Sequence, residues 1–116
     1  MNKYIVAHKS EIPIGSRKIV RVNNREIGIF NVNGQYYALK NACPHQEASL
    51  CKGEVTGTFL LSNVNEYEYG REGEIVKCPW HKWEFDIKTG QALFDSCLKV
   101  ATYEITEEAD NIVVFM

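Results

Sequence analysis

The sequence predicts an all-β domain, a small antiparallel sandwich or barrel carrying two functional loops. Three observations carry this expectation. Short runs rich in Ile, Val, Phe and Tyr alternate with Gly, Asn, Asp and Pro turn signals. No window of about 12 residues or more keeps a 3.6-residue apolar period, so long amphipathic helices are not expected. The 116 residues, 45% apolar and 24% charged, suit a single domain spanning 1–116 with its own core.

The elements follow in order. Met1 to Lys9 is too polar for a signal peptide, which needs an apolar stretch of roughly 7–15 residues. No segment approaches the roughly 20 apolar residues of a membrane span. A soluble, cytoplasmic protein with no membrane partner is expected. Lys18 to Val22 reads as one strand and Arg25 to Val32 as another. Asn33-Gly34 then separates Arg25–Val32 from Gln35–Leu39, a strong hairpin signal because both residues tolerate positive φ. Later strand-like runs are Glu74 to Lys77, Glu84 to Ile87, Cys97 to Ile105 and Ile112 to Met116. Thr89-Gly90 and Asp110-Asn111 mark turns between them. The 13 Lys and Arg are outnumbered by 15 Asp and Glu, giving a net charge of −2, which argues against a nucleic-acid partner.

The chemistry concentrates in two loops, Cys43-Pro44-His45 and Cys78-Pro79-Trp80-His81. Each offers a thiolate and an imidazole, and together they use two of the three histidines. Each pair follows a strand-like run, so both loops can project from one end of a sheet. Two Cys and two His suit tetrahedral zinc or an iron–sulfur centre. Zinc sites usually pair Cys with Cys and His with His within one short stretch. Here each loop mixes the two ligand types, which suits a two-iron cluster with two cysteines on one iron and two histidines on the other.

On these motifs, Cys43-Pro44-His45-Gln46-Glu47-Ala48-Ser49-Leu50 and Cys78-Pro79-Trp80-His81-Lys82-Trp83-Glu84-Phe85-Asp86, the chain resembles the Rieske iron–sulfur family, in its small soluble ferredoxin branch. Lys88-Thr89-Gly90 is similar to the family's turn after the second loop. The resemblance implies a Rieske-type β-sandwich and one [2Fe–2S] cluster per chain. It places Cys43 and Cys78 on the buried iron, and His45 and His81 on the iron nearer the surface. Two departures stand out. Lys82 occupies a position where the family often has Gly; it either meets a partner's carboxylate or is a solvated surface lysine. A long segment separates His45 from Cys78, and the alternation Glu66-Tyr67-Glu68-Tyr69 within 57–73 suggests an added hairpin. That hairpin is either a decorated sheet edge or a flap shaping the docking surface, with Tyr67 and Tyr69 as its rim.

High-potential members of the family place Ser and Tyr hydroxyls after the second loop's histidine and add a Cys to each loop. The corresponding residues here are Trp83 and Phe85, and Ala48 and Trp80, which supply neither feature. A low potential is therefore expected, in the lower part of the roughly −150 to +300 mV range of such clusters. Trp80, Trp83 and Phe85 either shield the cluster or simply pack a β core. Cys51 and Cys97 read as small buried hydrophobes and His8 as exposed.

The resemblance implies a one-electron carrier between a reductase and an oxygenase-type enzyme. The alternatives are an accessory subunit of a larger reductase, similar to the nitrite reductase small subunit, a structural zinc module, or a redox-sensing protein. No catalytic residue and no small-molecule substrate are expected. An oxygenase needs a second iron held by two His and a carboxylate, and a thiol hydrolase needs a free Cys–His pair. Once His45 and His81 are committed, only His8 is left.

Overall fold

The computed structural model describes residues 2–42, 49–63, 66–79, 83–95 and 97–116, and in 57–63 and 66–72 the backbone alone. Nine strands form two antiparallel sheets among these residues. The larger has six strands, built from β1 (Lys3–His8), β2 (Arg17–Val22), β3 (Arg25–Val32), β4 (Gln35–Lys40), β8 (Thr102–Glu108) and β9 (Asn111–Phe115), in the order β1-β9-β8-β4-β3-β2. The smaller has the order β5-β6-β7, from β5 (Val55–Asn63), β6 (Glu66–Lys77) and β7 (Glu84–Asp86). The all-β expectation is met.

Three tight hairpins fix the larger sheet. Asn33 and Gly34 have φ of 54° and 94°, as the Asn-Gly signal requires of a type I′ turn. Asn23 and Asn24, at 55° and 63°, turn β2 into β3 in the same way. Ala109 and Asp110, at 49° and 69°, join β8 to β9. That last turn lies one residue earlier than Asp110-Asn111, because Ala109 takes a conformation its side chain does not advertise.

β3 explains its own composition. Ile27 and Ile29 face one core, with Ala7, Ile12, Val22, Ala38, Ile112 and Val114. Phe30 and Val32 face the other, with Leu39, Leu50, Val76, Cys78, Phe85, Ile87 and Val100. A strand covered on both faces reads as a continuous apolar run. The first core fills the curve of the six-stranded sheet; the second lies between the two sheets. Burying a Phe or Ile side chain contributes roughly 1.5–3 kcal/mol, so this second core holds the small sheet against the large one.

Two expectations change. β1 went unread because a bulge between Ile5 and Ala7 breaks its alternation. The Cys97–Ile105 run is not one strand: Cys97 sits in a turn, Lys99 makes an isolated bridge with Gln91, and β8 begins at Thr102. Cys97 is exposed rather than buried.

The hairpin expected within 57–73 is present as the outer part of β5 and β6. Their register runs from Val55 opposite Val76 to Asn63 opposite Glu66. It shifts between Thr56 and Thr58, where residues 71–74 of β6 have no counterpart on β5. β7 pairs only with Ile75–Lys77, so the outer part is a two-stranded ribbon.

Candidate metal centre

The described residues fix the roots of both loops. The first loop leaves β4 at Lys40, whose N–H donates to Ala101 O at 2.9 Å. Asn41 follows, 7% exposed. Its backbone N–H donates to Glu26 O at 2.9 Å and its Nδ2 to Glu26 Oε1 at 3.0 Å. Its Oδ1 accepts the backbone N–H of Cys51 at 2.8 Å. One buried amide therefore ties the start of the loop to its end. A short 310 turn, Leu50–Lys52, completes the loop, with Leu50 and Cys51 fully buried.

The second loop leaves β6 at Lys77. The N–H of Cys78 donates to Trp83 O at 2.8 Å, which closes 78–83 at its base before β7 begins. Cys78 is buried in the core between the sheets and makes no disulfide. A buried, unpaired thiol at a loop root suits an inward cysteine ligand, so this part of the donor set fits an iron–sulfur cluster.

The two roots touch. Lys77 N–H donates to Glu54 O at 2.8 Å. A Cβ built on Gly53 would lie 1.7 Å from Lys77 O, so only glycine lets the end of the first loop approach the start of the second. The Arg17 guanidinium donates to Gly53 O from β2 and pins the junction to the large sheet.

Cys51 is a packing group of the inter-sheet core, 0% exposed. Its Sγ lies 3.7 Å from Leu39 O and 3.8 Å from Lys40 O, the position of a weak thiol donor. Burial pushes its pKa up to about 12, so the thiol stays protonated. A Cβ on Gly28 would lie 2.5 Å from that sulfur; Gly28 is the gap in β3 that receives it. This agrees with the reading of Cys51 as a small buried residue. His8 is likewise occupied: its Nδ1 accepts Ser10 N–H at 3.1 Å, and its own N–H donates to Glu11 Oε2 at 2.7 Å, capping the 310 turn Lys9–Glu11.

A third segment, 92–95, borders Trp83 and the start of β7. Leu93 N–H donates to Glu84 O at 3.0 Å, and Phe94 meets Trp83 edge-on with ring centroids 4.5 Å apart. Trp83 packs on the inter-sheet core and Phe85 is fully buried, so both serve as packing groups. Neither can offer the hydroxyl expected of a high-potential site.

Cys43, His45 and His81 lie outside the described residues, as do Ala48, Trp80 and Lys82. Of the four expected ligands the structure places Cys78. Among the described residues no group of three or more His, Cys, Asp or Glu is placed to hold a metal ion. Sequence reasoning missed Asn41, Gly53, Gly28 and Arg17. A glycine two residues past Cys51 and an asparagine two residues before Cys43 were the available signals.

The comparisons with known proteins agree with this architecture. The chain belongs to the Rieske [2Fe-2S] domain family, whose model matches residues 2–104. It is 33% identical over 107 residues to the ferredoxin component of the naphthalene 1,2-dioxygenase/salicylate 5-hydroxylase systems of Ralstonia sp, covering 91% of this chain and 88% of that one. It is 30% identical over 105 residues to the ferredoxin component of the naphthalene 1,2-dioxygenase system of Pseudomonas aeruginosa, covering 90% and 86%. Among solved structures, the ferredoxin of Sphingomonas yanoikuyae B1 superposes with a TM-score of 0.75 at 26% identity, over 99% of each chain. The protein carries one [2Fe–2S] cluster and is an electron-transfer component, not a catalytic enzyme. The zinc alternative is set aside. No helix among the described residues is long and apolar enough to cross a membrane.

Proposed function

We propose that this protein is a cytoplasmic, low-potential Rieske-type ferredoxin that passes single electrons from a reductase to a terminal oxygenase, working as one domain over 1–116. Cys43 and Cys78 would hold the inner iron, and His45 and His81 the outer one. The observation that carries the reading is the junction of the loop roots, where Gly53 meets Lys77 and the buried thiol of Cys78 follows directly. When bound, the cluster supplies a site that takes up and releases one electron.

The chain's own residues do the rest. Asn41 and Arg17 hold the first loop's root, and the Cys78–Trp83 hydrogen bond holds the second. Rigid roots keep two sets of ligands in register through a change of charge, which favours fast transfer. The inter-sheet core around Cys78, 1% exposed, keeps water from the cysteine side. The similarity to ferredoxin components of dioxygenase systems supports an oxygenase as the recipient.

The test is a redox titration followed by reconstitution with a flavin reductase and a ring-hydroxylating oxygenase from the same organism. A midpoint in the lower part of the roughly −150 to +300 mV range is expected, with product formation dependent on this protein. A midpoint well above zero, or turnover that proceeds equally without it, would overturn the proposal.

A further inference from the structure

Sheet edges invite pairing with another chain, and natural sequences guard them with charge, proline or shortness. The outer strands of the two sheets are β1, β2, β5 and β7. β1 carries Lys3; β2 carries Arg17, Lys18 and Arg21; β7 is three residues long and is covered on its outer side by residues 91–93, with Asp86 N–H donating to Gln91 O and Leu93 N–H to Glu84 O. β5 is different. Its nine residues, Val-Thr-Gly-Thr-Phe-Leu-Leu-Ser-Asn, include no charge and no proline. Its hairpin partner β6 carries Glu66, Glu68, Arg71, Glu72, Glu74 and Lys77. Charge is concentrated on the inner strand and withheld from the strand that forms the edge.

We propose that β5 is a self-association edge: two copies pair antiparallel through Gly57–Leu61 about a two-fold axis at Phe59, joining two three-stranded sheets into one. In this register Thr58 lies opposite Leu60 of the second copy, Gly57 opposite its Leu61, and Phe59 opposite its Phe59. No like charges meet. The same pairing by β2 would set a cationic strand against itself, and β7 is already covered by residues 91–93. An isologous contact of this kind closes as a dimer and does not propagate.

The internal register supports the match. Phe59 is opposite Tyr69 and Leu61 opposite Tyr67, and directly paired residues share a face. Pairing about Phe59 therefore lines up Tyr69, Phe59, Phe59 and Tyr69 in one row across four strands. Aromatic cross-strand pairs are among the stabilising ones. A two-stranded ribbon is marginal alone, and the pairing would make four strands of it. Strand direction matters too. Val55 and Lys77 are the loop-side ends of β5 and β6, and the turn joins their other ends. Antiparallel pairing then sets the two copies' loops at opposite ends of the joined sheet. Both stay open to redox partners, so the inference stands whether or not the proposed recipient is correct.

The experiment is sedimentation of the cluster-loaded protein from micromolar to millimolar concentration, with visible absorption and circular dichroism as checks on folding. The mass should double with concentration. T58E/L60E places like charges opposite each other twice and should sediment as a monomer. T58K/L60E places opposite charges at the same two positions and should recover the dimer. A wild-type protein that stays monomeric throughout, a dimer indifferent to T58E/L60E, or a failure of T58K/L60E to restore it would overturn the proposal. So would a monomer whose T58E/L60E variant instead loses binding to the oxygenase, which would give the edge to that partner.

Discussion

Replacing Asn41 with Ala tests the account of how the first loop is held. Asn41 Oδ1 accepts the N–H of Cys51 at 2.8 Å, and its Nδ2 reaches Glu26 at 3.0 Å. Asn41→Ala removes both bonds and leaves the Cys51 N–H without a partner in a buried setting. An orphaned buried donor costs about 1–3 kcal/mol, and the lost bond to a charged acceptor adds about 1 kcal/mol at a partly buried site. The expected loss is about 2–4 kcal/mol, read as a reduced urea midpoint at unchanged slope. The portion that acts on the loop root raises the population of the opened loop roughly 5- to 150-fold. Cluster loss should accelerate accordingly, followed as bleaching of the visible absorption under a chelator. Asn41→Asp is the informative partner variant. It retains an acceptor for Cys51 N–H but faces Glu26 with a second carboxylate. It should keep the slow bleaching better than Asn41→Ala while still losing stability. A change below about 0.5 kcal/mol in Asn41→Ala, with unchanged bleaching, would refute the idea that this amide holds the loop.

Three other outcomes are expected. Gly53→Ala drives a methyl into the Lys77 carbonyl and should prevent the loop roots from meeting, giving little or no cluster-loaded protein on purification. Under native conditions a thiol reagent should modify the exposed Cys97 and spare the buried Cys51; rapid native labelling of Cys51 would contradict its placement. Cys51 also sets a pH dependence. Its folded pKa, raised to about 12, exceeds the unfolded value, so its contribution is fully present below about pH 9 and is lost as pH rises towards 12. Between pH 7 and 10 wild type should lose about 1 kcal/mol more stability than Cys51→Ala, measured by denaturant melts at each pH.

Much of this was legible in the sequence, and the gaps have physical causes. The Asn33-Gly34 hairpin and the doubly covered β3 follow from local chemistry, because positive φ and two-sided burial leave their marks on composition. The family is legible in the mixed Cys and His loops because ligand chemistry admits few substitutes. β1 was lost to a bulge, and the β8–β9 turn was misplaced because Ala109 is no turn former. Cys97 was misread since its neighbours look strand-like, yet Gln91 Nε2 reaches Asp95 O and Leu98 O, each at 3.2 Å, and folds the segment into a turn. Asn41, Gly53 and Gly28 act through contacts distant along the chain, which residue type alone does not announce.

The central claim is that Cys43, His45, Cys78 and His81 share one two-iron cluster, with the histidines on one iron. The most direct test is electron paramagnetic resonance of the dithionite-reduced protein, in wild type and in His81→Cys. Wild type should give a rhombic signal with the lowered average g of a histidine-ligated cluster, and His81→Cys should lose or shift it. A wild-type spectrum of all-cysteine character, or one that His81→Cys leaves unchanged, would contradict the ligand set.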